Sequence, residues 1–240
     1  MSTRLFTGAL FDLDGVLIDS HAAIVALWHG LAARLGRRIS DGEIERHVLG
    51  CAPEHTVAAL FSDLDDAGRE GLLEAVRAAE PDLAFVAVAG ATELVGRLHT
   101  AGVPLGLVTG ASADRAGRVL DVLGLRTAFP VLVTWGEVDR GKPAPDCYLL
   151  GADRLGHDPA SCLVFEDAPS GVTAAVRAGA ACVGVGDESS LSGSGATWTA
   201  PGLAAVGCRV GADGVVLDLS GTPVARLVGA ASAADRKGAR

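Results

Sequence analysis

Residues 5–15 read Leu-Phe-Thr-Gly-Ala-Leu-Phe-Asp-Leu-Asp-Gly. The run Leu5–Leu13 is short, apolar and rich in strand formers, and it stops at Asp14-Gly15. This predicts a buried strand followed by a turn. Two carboxylates, Asp12 and Asp14, stand where the strand gives out.

Downstream, from Ser20 to Phe85, the texture is helical. Ile24, Leu27, Trp28, Leu31 and Leu35 recur on one helical face. Ser40-Asp41-Gly42-Glu43 has the form of a capping box and opens a helix through Val48. Thr56–Phe61 and Gly71–Ala79 read as further helices. From Gly90 strands alternate with helices. Helices are expected at Thr92–Ala101, Asp114–Leu123, Asp146–Leu155 and Gly171–Ala178. Strands are expected at Pro104–Thr109, Pro130–Thr134, Cys162–Glu166 and Ala181–Val185, with Gly214–Leu219 as a last one. Alternation of this kind implies βαβ units and a mainly parallel sheet. The run Leu105-Gly106-Leu107-Val108 is continuous rather than alternating, as a strand covered on both faces requires. The fold class expected is α/β, a doubly wound, mainly parallel sheet with an all-helical insert. The expected partition is residues 1–19 and 86–229 for the sheet domain, 20–85 for the helical insert and 230–240 for a flexible tail. Asp187–Gly195 reads as an exposed Gly/Ser-rich loop.

Composition bounds the function. The chain has 240 residues, 49% hydrophobic and 20% charged, enough for a sizeable core. Net charge is −9, which argues against a nucleic-acid or anionic-membrane surface. The cysteines, Cys51, Cys147, Cys162, Cys182 and Cys208, form no CxxC pair and no zinc spacing. They read as reduced thiols of a cytoplasmic protein. No signal-peptide pattern and no membrane-length apolar run is present.

In a doubly wound sheet ligands collect at the carboxyl ends of the strands. After the first strand come Asp12 and Asp14. Thr109-Gly110 follows the second, Gly141-Lys142-Pro143 lies beyond the third, and Glu166-Asp167 ends the fourth. Taken singly, each has a bland reading. Asp-x-Asp is commonly a solvated turn, Lys142 a surface charge, and Glu166-Asp167 a helix start. Together they imply a site. Converging carboxylates repel unless a hard cation, Mg²⁺ by preference, sits among them. A lysine, a hydroxyl and free amides suit a phosphate. One aspartate could then attack phosphorus while the other moves a proton, although spacing does not say which.

Phe11-Asp12-Leu13-Asp14-Gly15-Val16-Leu17-Ile18-Asp19-Ser20 resembles the first motif of the haloacid dehalogenase superfamily. Val108-Thr109-Gly110 resembles the second, Gly141-Lys142-Pro143-Ala144-Pro145-Asp146 the third, and Val164-Phe165-Glu166-Asp167-Ala168-Pro169-Ser170-Gly171 the fourth. The resemblance implies a Rossmann-like core with an α-helical cap inserted after the first motif, which matches the helical stretch 20–85, and it implies Asp12 as nucleophile and Asp14 as general acid/base. It implies Mg²⁺ held by Asp12, the Asp14 carbonyl and Asp167 with Glu166 nearby, and Thr109, Gly110 and Lys142 on the phosphate. Asp14 itself argues against the dehalogenase and phosphonate-cleaving branches.

Within the superfamily the resemblance is nearest to sugar-phosphate phosphatases and β-phosphoglucomutases. Where the mutases carry a cap arginine in a pattern like Gly-Val-Ser-Arg-Glu, this chain reads Gly50-Cys51-Ala52-Pro53-Glu54. The loss of that cation favours hydrolysis. Cys51 and Glu54 are candidate substrate contacts on the cap, along with His47 and His55. The expected activity is Mg²⁺-dependent hydrolysis of a small phosphorylated sugar, polyol or related metabolite by a monomer or weak homodimer. A phosphomutase is the alternative, and a non-catalytic binding protein of the same fold is the third reading.

Overall fold

The computed structural model describes residues 3–229; the expected tail 230–240 lies outside them. In chain order the elements are β1 (Arg4–Phe6), β2 (Gly8–Phe11), β3 (Ile18–Asp19), α1 (His21–Arg34), α2 (Asp41–His47), α3 (Pro53–Leu60) and α4 (Asp66–Ala79). There follow β4 (Val86–Ala87), α5 (Ala91–Thr100), β5 (Leu105–Val108), α6 (Ala113–Leu123), β6 (Val131–Val133), α7 (Asp146–Leu155), β7 (Cys162–Glu166) and α8 (Pro169–Arg177). The chain continues through β8 (Ala181–Val185), α9 (Glu188–Gly193), β9 (Trp198–Ala200), β10 (Val206–Gly211), β11 (Gly214–Leu219) and β12 (Thr222–Leu227).

The main sheet has six strands in the order β6-β5-β2-β7-β8-β9, every pairing parallel. All residues of β2, β5, β7 and β8 are buried, because helices cover both faces. Leu94, Val95 and Leu98 of α5 with Val119 and Leu120 of α6 pack on one face. Tyr148 and Ala152 of α7 with Val172 and Ala175 of α8 pack on the other. Phe11 and Phe165 are register partners on β2 and β7, with stacked rings 4.4 Å apart. Connections run outward from β2 in opposite directions, so a crevice opens at the carboxyl end of β2, where such sheets bind ligands.

The helical segment hangs from a two-stranded neck in which Ile18 pairs with Ala87 and Asp19 with Val86. It has a core of its own, including Trp28, Leu31, Val57, Phe61, Leu72 and Val76. Each such side chain contributes roughly 1.5–3 kcal/mol on burial. The Ser40–Glu43 capping box forms, with the Ser40 N–H donating to Glu43 Oε2 at 2.9 Å.

Several expectations need correction. Leu5–Leu13 is two strands, not one: the chain breaks at Thr7, and β1 pairs with β12 in a separate four-stranded sheet, β1-β12-β11-β10. Leu35 lies past the end of α1 and is 42% exposed. Helix α4 begins at Asp66, capped by Asp65 accepting from the Gly68 N–H, and not at Gly71. The stretch 187–195 is not a plain loop, because Asp187 accepts from the Ser190 N–H and starts α9. Gly214–Leu219 is a strand, but it is the middle of an antiparallel meander rather than the last element.

Candidate active site

The ends of β2, β5 and β7 and the loop that follows β6 deliver groups to the crevice. Asp12 follows β2 and is 2% exposed, its own N–H donating to the Phe165 carbonyl at 3.0 Å. Lys142 Nζ lies 2.7 Å from Asp12 Oδ1 and 2.6 Å from Glu166 Oε1, and donates to the Val108 carbonyl at 3.1 Å. The Tyr148 hydroxyl donates to Glu166 Oε1 at 2.5 Å. Asp167 Oδ2 meets His21 Nε2, at the start of α1, at 3.0 Å. Gly15 allows this approach: with φ +85°, a Cβ there would fall 2.0 Å from Asp167 Oδ2.

Carboxylate oxygens of Asp12, Glu166 and Asp167 lie within 4.8 Å of one another. Burial pushes Asp12 up to about 7, with Lys142 opposing the shift and Glu166 adding to it. Burial also raises Glu166 and Asp167. The hydrogen bond to Asp167 raises His21. One lysine therefore does not balance three buried carboxylates. Asp167 Oδ1 is buried with no hydrogen-bond partner. An orphaned oxygen beside two other carboxylates fits a divalent cation, because hard cations bind oxygen and offset the repulsion.

Above this cluster lies a cavity of about 70 Å³. Asp12, Asp14, Thr109, Gly110 and Arg115 form its floor. Ile24, Leu27, Trp28, Val48, Cys51, Pro53 and Val76 form the helical wall. Thr109 Oγ1 accepts from the Ala111 N–H at 3.0 Å, so its own proton is left to donate. The helical segment is seated on the crevice. Ser170 Oγ donates to the Leu49 carbonyl at 3.2 Å. Gly50, at φ +68°, comes so close that a Cβ would lie 2.4 Å from that of Ala168.

Of the residues singled out in the sequence, Asp12, Glu166, Asp167 and Lys142 meet in one cluster. Asp14, Thr109, Gly110 and Cys51 face the cavity. Burial lifts the Cys51 thiol to about 11, which keeps it protonated. Glu54 is elsewhere. It accepts the Trp135 indole N–H, and it borders a second hollow shared with Thr109, Gly110 and Lys142. His47 and His55 pair with each other, ring nitrogens 3.2 Å apart, and neither lines the cavity.

Sequence reasoning missed Arg115, Glu80 and Ser20. Ser20 Oγ donates to Asp14 Oδ1 at 2.5 Å, and Arg115 Nη2 donates to the same oxygen at 2.9 Å. Glu80 accepts from the Ser112 N–H at 3.0 Å and from Ser112 Oγ at 2.6 Å. One signal could have found Arg115. It stands four residues before Val119 on the buried face of an otherwise amphipathic helix.

Comparison with known proteins gives the family. Residues 6–179 match the haloacid dehalogenase-like hydrolases. The chain is 38% identical over 186 residues to validoxylamine A 7'-phosphate phosphatase of Streptomyces hygroscopicus subsp. limoneus, covering 75% of this chain and 86% of that protein. It is also 38% identical over 182 residues to hexitol phosphatase A of Escherichia coli, covering 74% and 82%. The crystal structure of a hydrolase from Pseudomonas syringae superposes with a TM-score of 0.73 at 28% identity, covering 82% of this chain and 94% of that one. Strands β10 to β12 lie beyond the family match.

Proposed function

Because the chain belongs to the haloacid dehalogenase-like hydrolases, we propose that it is a Mg²⁺-dependent phosphatase that hydrolyses a small phosphorylated sugar, polyol or related monoester through an aspartyl-phosphate on Asp12. The observation that carries this reading is the buried Asp12–Lys142–Glu166–Asp167 cluster, with its orphaned oxygen, directly beneath a cavity. The relatives named above are, by their names, phosphatases of validoxylamine A 7'-phosphate and of hexitol phosphate, which supports the substrate class.

Asp12, Asp167 and the Asp14 carbonyl would hold the ion, with Glu166 behind them. Bound there, Mg²⁺ would supply positive charge against the carboxylates and the phosphoryl oxygens. Lys142, the Thr109 hydroxyl and the loop at Gly110 hold the phosphate. An Asp12 oxygen attacks phosphorus, the bond to the leaving oxygen breaks, and Asp14 gives that oxygen its proton. Asp14 then takes a proton from water as the water oxygen bonds to phosphorus and the Asp12–phosphorus bond breaks. Orientation comes from Lys142, fixed by Asp12, Glu166 and the Val108 carbonyl.

Hydrolysis is favoured over a mutase by the helical wall of the cavity. Among the described residues that wall offers no lysine or arginine, whereas a bisphosphate intermediate needs a cation for its second phosphate. Cys51 faces the leaving group. Glu54 accepts the Trp135 indole N–H and borders the hollow shared with Thr109, Gly110 and Lys142, so it remains a candidate substrate contact from that side. Phosphate release from a panel of sugar and polyol phosphates tests the reading: activity should need Mg²⁺ and stop with EDTA. Isomerisation of a sugar 1-phosphate without free phosphate would replace it with the mutase.

A further inference from the structure

Arg115 is 1% exposed, yet it sits on a core helix beside the crevice. A guanidinium is costly to bury unless its donors are met, and here they are met by two different parts of the molecule. Nη2 donates to Asp14 Oδ1 at 2.9 Å. Nη1 donates to the carbonyls of Glu80, at 3.2 Å, and Leu83, at 3.0 Å. Nε stands 3.7 Å from Glu80 Oε1. Residues 80–83 are the strap by which the chain leaves the helical segment and returns to the neck strand β4. Glu80 is further fixed by Ser112, the N-cap of the helix that carries Arg115.

We propose that Arg115 is a positioning residue for Asp14, and that it links the orientation of this carboxyl to the seating of the helical segment through the strap. Satisfying the strap carbonyls alone would not call for a contact with Asp14. Both donors to Asp14, Ser20 Oγ and Arg115 Nη2, fall on Oδ1. Together they fix the plane of the carboxyl and leave Oδ2 as the oxygen that carries the transferred proton. The rigid fork of a guanidinium spans Asp14 and the strap at once, which a lysine ammonium cannot do.

The inference rests on the phosphatase reading, and the test separates the two. Arg115→Met and Arg115→Lys are compared with wild type in kcat/KM for p-nitrophenyl phosphate, whose leaving group departs without a proton, and for glycerol 2-phosphate, whose alkoxide needs one. For Arg115→Met the value with glycerol 2-phosphate should fall about 100-fold, the scale of a lost general acid, while that with p-nitrophenyl phosphate stays within about threefold. For Arg115→Lys the same selective loss should be smaller, roughly tenfold. Should Arg115→Met fail to fold, the lysine variant decides alone. Equal losses with both esters, or no loss with glycerol 2-phosphate, would overturn the positioning role and leave the phosphatase reading standing. A folded wild-type protein inert toward both esters with Mg²⁺ present would instead fail the phosphatase reading, and the inference with it.

Discussion

Lys142 Nζ lies 2.7 Å from Asp12 Oδ1, although 130 residues separate the two in the chain. The pair is buried on both sides, and Glu166 makes it a triad. Its partners cannot turn to water, so the pair holds the crevice together only while each charge is answered.

Replacing Lys142 with methionine leaves Asp12 and Glu166 facing each other without the cation between them. Unfolding in urea should show a loss of about 3–5 kcal/mol, the cost of breaking a buried ion pair. Phosphate release should fall below detection, since the same ammonium is the group proposed to hold the phosphate. An unchanged unfolding midpoint would show that the triad is not a stabilising contact.

The pH dependence of metal binding follows from Asp12. Its carboxyl is raised to about 7 by burial, above its unfolded value, so its contribution to stability is full at low pH and is lost as pH rises through about 7. A cation must displace that proton. The rise in melting temperature on adding Mg²⁺ should therefore grow between about pH 6 and about pH 8. A shift independent of pH across that range would contradict it. Asp12→Asn, whose neutral amide offers the ion no charge, should show little Mg²⁺ shift at either pH.

Gly50 is where the helical segment touches Ala168 and Ser170. A valine there meets both a positive φ of 68° and a Cβ 2.4 Å from the Ala168 Cβ. The backbone strain should cost about 1–2 kcal/mol in stability. The larger effect is on the seating of the helical segment over the cavity: kcat/KM should fall about tenfold or more, because the wall that faces substrate is pushed off the crevice. Comparable kcat/KM for Gly50→Val and wild type would show that this contact is not part of the active arrangement.

Much of the site was legible because parallel strands buried on both faces read as unbroken apolar runs, Leu105–Val108 and Cys162–Glu166 among them, and their ends point to the crevice. Thr109 and Asp167 were singled out by that position, Lys142 by the loop that follows the strand Pro130–Thr134, and their roles by the resemblance of the motifs around them. Arg115 was hidden because charge in a helix normally means solvent, and its partners, Asp14 and the Leu83 carbonyl, are far off in sequence. The split of β1 from β2 turns on Thr7, whose N–H bonds the Ser161 carbonyl outside either strand. Strand β11 was legible as Gly214–Leu219, but β10 and β12 were obscured by small residues and by one-sided burial, which leaves Val206 in β10 and Ala225 and Leu227 in β12 as the buried residues.

The central claim is that Asp12 is transiently phosphorylated. Rapid acid quenching during turnover of a good substrate with Mg²⁺, followed by mass analysis of the peptide that contains Asp12, tests it most directly. The account predicts one added phosphoryl group on that aspartate, formed and lost at rates that match turnover and absent in Asp12→Asn. Steady phosphate release with an unmodified Asp12 peptide at every quench time, from an enzyme whose Asp12→Asn variant still turns over, would contradict it.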